Sequence, residues 1–465
     1  MFRFLGQYVP VKSVLLAITE SVLIIGSIWV AAWVRLGQVN VFQSELNDGY
    51  LLFVRFAAVV VVCILCFYYN DLYDLQIVSR RAELLIRLMQ ALGCASLILA
   101  LLYYSMPNLM FGRGISAISA GAIGFLLVTW RLIVDAMGSF FRPPLRVLIA
   151  GTGSKGITVV REILDHPELN FNVVGFLDEK GENLGKSLIN PKIIGAVADI
   201  EQIVKTENID RVVLSFVERR GNMPLQKLLR VKFAGVQVED AHGLFEKLTG
   251  RIMLEMLSPS WLILSDGFRR GTIHLVIKRI SDILLSLFAI VLLSPVLLLV
   301  SIAIYLESGG PILFRQERIG LKDRPFEILK FRSMRPDPDK GQVWASQTDQ
   351  RITRVGRFIR KYRLDELPQF FNVLRGNMSI VGPRPEQPLL VSMLEEQIPY
   401  YSYRHTVRPG ITGWAQIKYR YGASVEDAKN KLEYELFYIK HLSLFFDLVI
   451  MFRTVQVVLF GKGAV

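Results

Sequence analysis

The 465-residue chain is 52% hydrophobic and only 20% charged, yet its formal net charge is +13. Mean hydropathy is +0.38 and the pI about 9.6. These values exclude a disordered chain, are unusual for a wholly soluble enzyme, and point to an integral membrane protein facing anionic lipid or phosphorylated substrates. Nucleic-acid binding is disfavoured, because neither zinc-finger spacing nor a basic zipper occurs.

In chain order, four apolar runs come first, at residues 13–34, 50–69, 88–104 and 115–134. At ~1.5 Å per residue each matches the thickness of a hydrocarbon core, which predicts four transmembrane helices over residues 1–140. The first run is read as a retained anchor, since no signal-peptidase motif suits it and further membrane segments follow. Glu20, Arg55 and Arg131 fall within or near these runs and are expected to pair between helices or to snorkel. Cys63 and Cys66 form a CxxC in an apolar context without a second ligand pair; with Cys94 they are read as packing residues. Loop charges set the orientation: Arg3 and Lys12, then Arg80, Arg81 and Arg87, then Arg142 and Arg146, against Arg35 and Arg113 on the other side, with Arg55 weakening the contrast. The positive-inside rule therefore predicts both ends of the bundle in the cytoplasm.

A strand-like RVLIAG at 146–151 leads into a turn carrying Gly151, Gly153 and Gly156, then a helical pattern. VVGFLD ends at Asp178, at the spacing of a ribose-binding acid, and RVVLSF follows at 211–216. This βαβ order predicts a Rossmann-like cytoplasmic domain over 145–250. Whether it binds a dinucleotide stays open, because glycine-rich turns also serve bare structural junctions. No tyrosine occurs between Leu145 and Arg270, so the Tyr-x-x-x-Lys pair of short-chain dehydrogenases is missing there. A small regulatory or scaffolding role fits.

A fifth apolar run, 282–306, has Ser294-Pro295 at its middle. Proline removes a backbone donor and disfavours helical geometry before it, which predicts a break there, with the serine hydroxyl satisfying a freed carbonyl. Each arm of about twelve residues gives roughly 18 Å of helix, too short to cross alone. Lys278 and Arg279 precede the run, and Arg315, Arg318, Lys322 and Arg324 follow it. A re-entrant helix entering and leaving on the cytoplasmic face is therefore expected, with a kinked full span as the rival.

From Lys278 onward, 27 Lys+Arg face 18 Asp+Glu, a net +9 of the chain's +13. Arg351, Arg354, Arg357, Arg360, Lys361 and Arg363 alternate with Ile352, Val355, Ile359 and Tyr362 at helical spacing, as in an interfacial helix. Then come Leu364-Asp365-Glu366-Leu367-Pro368-Gln369, where Asp365 is expected to N-cap a helix with Glu366 in its first turn. Two adjacent carboxylates in basic surroundings can divide labour, one as nucleophile or base and one holding Mg²⁺. Around them stand KFRSM (330–334), with Lys330 and Arg332; GPRP (382–385), with Arg384 between two prolines; and RPGITGWAQ (408–416), with Arg408, Thr412, Trp414 and Gln416. Arginine suits diphosphate recognition, and the indole offers a stacking surface for a base.

The Ser-Pro break, KFRSM, DELPQ, GPRP and RPGITGWAQ together resemble the bacterial sugar transferases, the polyprenyl-phosphate hexose-1-phosphate transferases. The likeness covers about 271–465, and the bundle plus Rossmann-like insert resembles the long-form, undecaprenyl-phosphate glucose or galactose phosphotransferase-like members that initiate exopolysaccharide, capsule or O-antigen synthesis. It implies a mostly α monotopic catalytic domain in the bacterial inner membrane, taking a UDP-sugar and polyprenyl phosphate and releasing UMP. Asp365 would match the nucleophile and Glu366 the acid holding Mg²⁺. Arg384, Lys330 and Arg332 would contact phosphate. The family often has serine where Arg363 stands, and Tyr-Asp-Leu where Tyr434-Glu435-Leu436 stands, so Glu435 keeps the charge with a longer reach. Homodimerisation is also implied.

The apolar segment 444–460 reads as an interfacial anchor. His166, His242, His274, His405 and His441 form no metal-binding spacing. Rival functions are a membrane-tethered nucleotide-sugar dehydratase or oxidoreductase, and a non-catalytic scaffold for polysaccharide assembly.

Overall fold

The computed structural model describes residues 2–4, 7–9, 11–36, 49–70, 72–73, 81–140, 144–167, 170–216, 224–257, 259–265, 267–268, 271–335, 351–419, 422 and 424–460. Arg80 and Arg142, two of the expected loop charges, lie outside them. The chain divides into two compact units, the first holding residues 8–241 and the second residues 242–465.

In the first unit the four apolar runs form α1 (Val11–Leu36), α2 (Gly49–Tyr69), α3 (Arg81–Ser105) and α4 (Arg113–Phe140). Each contains a stretch long and apolar enough to cross a membrane. Helix α3 starts seven residues before the expected run, so Arg81 and Arg87 sit in its opening turns and not in a loop. RAELLIR consists of good helix formers without glycine or proline, so the helix outruns the apolar pattern. Glu20 and Arg131 pair as expected: Arg131 Nε donates to Glu20 Oε1 at 2.6 Å, tying α1 to α4. The Tyr73 hydroxyl donates to Glu20 Oε2 at 2.7 Å, and Arg131 also reaches the Leu72 carbonyl at 2.5 Å. Away from water, charges persist only with such partners. Arg55 Nε donates to the Asn108 carbonyl at 2.8 Å. Cys63 and Cys66 are free, buried and part of the apolar cluster around Phe67, as their context predicts.

The Rossmann-like region is a five-stranded parallel sheet: β1 (Leu145–Ala150), β2 (Phe171–Asp178), β3 (Ile193–Ala196), β4 (Arg211–Leu214) and β5 (Gln237–Asp240), ordered β3-β2-β1-β4-β5. Helices α5 (Ser154–Asp165), α6 (Ile200–Thr206) and α7 (Leu225–Phe233) intervene. The glycines after β1 have separate reasons. Gly151 has a φ of +110°, and a Cβ on Gly156 would come within 2.8 Å of the Ser215 hydroxyl. Close approach of α5 to the sheet thus excludes a side chain. Asp178 accepts from Glu182 N in its own loop at 2.9 Å and from the hydroxyl of Thr152, in the glycine turn after β1, at 3.3 Å.

The second unit begins with α8 (Ala241–Thr249) and α9 (Pro259–Leu264). Helix α10 (Thr272–Ser308) then runs through Pro295 without interruption. The expected break is not a gap in the helix. Proline leaves the carbonyl four residues back without its donor, and here the Ser294 hydroxyl donates to that carbonyl, Val291 O, at 2.8 Å. Strands β6 (Leu313–Ile319) and β7 (Pro325–Phe331) form an antiparallel hairpin. Next come α11 (Arg354–Lys361), α12 (Gln369–Arg375), β8 (Ser379–Val381) and α13 (Pro388–Gln397). Strand β9 (Gly410–Thr412) pairs in parallel with β8, followed by α14 (Trp414–Lys418), α15 (Val425–Lys440) and α16 (Leu444–Phe460). Leu432, Leu436 and Tyr438 of α15 join Val373, Met378, Phe446 and Ile450 in the core.

Both ends of α10 are fastened to this unit. At its start Lys278 Nζ lies 2.7 Å from Asp447 Oδ2, Arg279 donates to the Val373 and Leu374 carbonyls, and Asp282 accepts from Ile380 N at 3.1 Å. At its end Val300 and Ile304 pack with Phe331 and Ile359. Between them Leu287, Phe288, Val291, Leu292, Leu298 and Leu299 are exposed.

Candidate active site

Three segments meet at the two carboxylates. Strand β7 supplies Lys330. Asn372 of α12 grips that strand, accepting from Leu329 N at 2.9 Å and donating to Glu327 O at 2.6 Å. The chain leaving α11 reverses at Arg363, whose φ is +54°, into the 3-10 turn Leu364–Glu366. The loop after β8 supplies Arg384. Lys330 Nζ then stands 3.5 Å from Glu366 Oε1, and an Arg384 guanidinium nitrogen donates to the same oxygen at 2.8 Å.

Asp365 is therefore not the helix N-cap that its sequence suggests. The turn is entered from Arg363, and α12 begins only at Gln369 with Pro368 at its cap. Pro368 has no N–H to donate, which suits it to the junction between turn and helix.

The two neighbouring carboxyls titrate in opposite directions. Burial, and then the charge of Glu366, push Asp365 up to about 6 against the pull of Lys330, Arg360 and Arg384. Burial would raise Glu366 too, but the charges of Arg384, Lys330 and Arg363 outweigh it and hold that carboxyl at about 2. Burial lowers the Lys330 ammonium, with Glu366 opposing. Glu366 is thus a fixed anion and Asp365 a carboxylate of raised basicity, so their surroundings push two adjacent acids apart.

The remaining predicted site residues lie elsewhere in the module's bonding. Arg332 closes the end of α10, donating to the carbonyls of Ser308 at 2.8 Å, Gly309 at 2.5 Å and Gly310 at 2.8 Å. Arg408 Nε donates to Gly376 O at 3.0 Å, at the end of α12. The Thr412 hydroxyl meets that of Thr454 at 2.6 Å. The Trp414 indole is buried, its N–H donating to Gly250 O at 2.8 Å and its ring packed on Phe437 and Phe446. Gln416 Nε2 donates to Ile411 O at 3.4 Å, and the residue shares a narrow crevice with Gly382, Arg384 and Glu435.

Several contributors carried no sequence signal. Arg404 bonds both the Arg384 carbonyl and Glu435, at 2.8 Å each. His405 Nδ1 lies 2.6 Å from Asp323 Oδ1, and with Glu395 their ligating atoms lie within 4.8 Å of one another. These residues are far apart in sequence, so linear spacing gave no hint of a cluster. Glu307 receives the amides of Arg354 at 2.7 Å and Val355 at 2.9 Å, capping α11 from the end of α10.

Glu366 Oε1 is already engaged by Lys330 and Arg384, so a cation at the central pair would meet the other carboxylate oxygens. Asp365 and Glu366 offer only hard carboxylate oxygens, and Mg²⁺ needs one or two of these beside substrate phosphates and water.

Comparison with known proteins gives the family. Residues 273–461 match the family described as bacterial sugar transferase, and residues 68–234 match a domain described as CoA-binding. A UDP-N-acetylgalactosamine-undecaprenyl-phosphate N-acetylgalactosaminephosphotransferase of Aeromonas hydrophila is 45% identical over 51% of this chain and 56% of its own length. An undecaprenyl-phosphate glucose phosphotransferase of Komagataeibacter xylinus is 35% identical over 69% of this chain and 60% of its own. The chain thus spans little more than half the length of these two relatives. A UDP-glucose:undecaprenyl-phosphate glucose-1-phosphate transferase of Klebsiella pneumoniae is 34% identical over 72% of this chain and 73% of its own. With that coverage, the chain belongs to the bacterial sugar transferase family.

Proposed function

We propose that the protein transfers a sugar 1-phosphate from a UDP-linked hexose to polyprenyl phosphate, yielding polyprenyl-diphosphate-sugar and UMP, as the initiating step of an exopolysaccharide, capsule or O-antigen. The observation that carries this reading is the adjacent carboxyl pair Asp365-Glu366 in one turn, with Lys330 and Arg384 converging on a Glu366 oxygen. An Asp365 oxygen attacks the sugar-bearing phosphorus, and the bond from that phosphorus to the bridging oxygen breaks as UMP leaves. A polyprenyl phosphate oxygen then attacks the same phosphorus and returns Asp365 as a free carboxylate. Lys330 and Arg384 offset charge on the phosphoryl oxygens, the main demand of such a transfer. Mg²⁺, held at Glu366, would supply further neutralisation of the diphosphate.

The same reading sets the protein in the bacterial inner membrane with α10 as a re-entrant helix. Support comes from α10 being fastened to one unit at both ends while its apolar middle stays exposed. Lipid then covers that middle, and both arms return to the face where the basic α11 meets headgroups. A homodimer belongs to the proposal, checked by mass in detergent.

The test is UMP release by full-length protein given UDP-sugars, Mg²⁺ and polyprenyl phosphate. UMP formed by the native protein and lost in Asp365→Asn supports the proposal. Release undiminished in that variant removes Asp365 from the chemistry, and no release with any donor favours a scaffold.

A further inference from the structure

Arg384 owes its aim to more than the prolines beside it. The carbonyls of four consecutive residues in this loop are each held from another part of the unit. Pro383 O accepts from Gly410 N at 2.8 Å, and Glu386 O from Ile319 N at 3.0 Å. Pro385 O accepts from Arg318 at 3.2 Å, and Arg384 O from Arg404 at 2.8 Å. Prolines 383 and 385 have no N–H to contribute, so the loop is fixed almost wholly through its carbonyls.

Of these clamps, the one on Arg384 itself is a buried ion. Arg404 is 4% exposed, and the nitrogen that holds Arg384 O also donates to Glu435 Oε1, which α15 brings to 2.8 Å. The other terminal nitrogen donates to the Tyr401 hydroxyl, and the guanidinium lies over the Tyr401 ring, 4.9 Å from its centre. A buried ion pair is often no more stabilising than apolar residues of the same volume. Arginine's planar fork does what apolar residues cannot: one terminal nitrogen holds the carboxylate and the carbonyl together while the other, fixed in the same plane, holds the Tyr401 hydroxyl.

We infer that the buried Arg404–Glu435 pair is a positioning device for Arg384: it fixes the Arg384 peptide so that the guanidinium stays directed at Glu366 and at the donor diphosphate. The inference rests on the reading of Asp365, Glu366 and Arg384 as the transfer site. Arg404 and Glu435 act through Arg384 and not on substrate. Lysine at 404 keeps the charge but loses the fork, and glutamine at 435 keeps the shape but loses the charge.

A double-mutant cycle on full-length protein, read by UMP release and thermal unfolding, tests it. Arg404→Lys is expected to lower kcat about ten- to hundredfold, as sub-ångström to ångström misplacement of a catalytic group does. In an Arg384→Ala background the same change is expected to cost nothing further. Glu435→Gln repeats the cycle should Arg404→Lys fail to fold. Losses that add fully in the double variant overturn the inference, as does native kcat in both single variants. Native activity in Arg384→Ala alone instead overturns the site reading beneath it, so the two failures are distinguishable.

Discussion

Asp365 sits where its ionisation is disfavoured, and that has consequences for both rate and stability. If it attacks as the carboxylate, activity rises with pH through an apparent pKa near 6. Glu366→Gln removes the neighbouring anion that helps to raise Asp365, so the acidic limb moves to lower pH; Lys330→Met removes a cation and moves it higher. A limb that ignores both changes contradicts the assignment. Stability follows the same sign. A folded-state pKa above the ordinary carboxylate value makes ionised Asp365 destabilising, fully above pH 6 and not at all below the unfolded value of 3.8. Asp365→Asn is therefore expected to stabilise the protein by at most about 3 kcal/mol at pH 8, and hardly at pH 4, in thermal unfolding. At this scale the sequence was informative where chemistry and spacing coincided, as in Asp365-Glu366, Lys330 and Arg384. It was less so for Arg332, Arg408 and Trp414, because a motif shows which residues stand together in sequence and not which way each side chain faces. Trp414 is an apolar anchor on Phe437 and Phe446, a role any buried indole can take.

At the scale of elements, long-range caps hold the catalytic module in shape. Arg332 satisfies three carbonyls at the end of α10, and Glu307 near that end satisfies two amides at the start of α11. Arg332→Met is expected to cost about 2–3 kcal/mol, the penalty of leaving such groups without their charged partner. The KM for the UDP-sugar should stay unchanged; a raised KM with native unfolding temperature would return Arg332 to substrate binding. Helix legibility followed periodicity and length: α1 to α4 and α10 stood out in the sequence, as did β1, β2 and β4 with their apolar runs. Strands β3 and β5 did not, being four residues each at the two edges of the sheet, and β5 reads QVED. Edge strands take their conformation from the neighbour they pair with, so little of it is written locally.

For the whole molecule, hydrophobicity and positive charge belong to different parts. Apolar residues form α1 to α4 and the exposed middle of α10, while a net +9 of the chain's +13 lies from Lys278 onward, where lipid headgroup, diphosphate and polyprenyl phosphate would meet. A re-entrant α10 places residues before and after it on one side of the membrane. In a background lacking Cys63, Cys66 and Cys94, Lys186→Cys and Lys322→Cys are expected to react with an impermeant thiol reagent from the same side only. Labelling from opposite sides would make α10 a full span.

Covalent use of Asp365 is read most directly by trapping. Full-length protein is incubated with Mg²⁺ and a UDP-sugar labelled in the sugar-bearing phosphate, without polyprenyl phosphate, then digested and sequenced by mass. A sugar-phosphate is expected on Asp365, absent from Asp365→Asn and discharged when polyprenyl phosphate is added. Product formed at the native rate by Asp365→Asn, with no label on the protein, would contradict it.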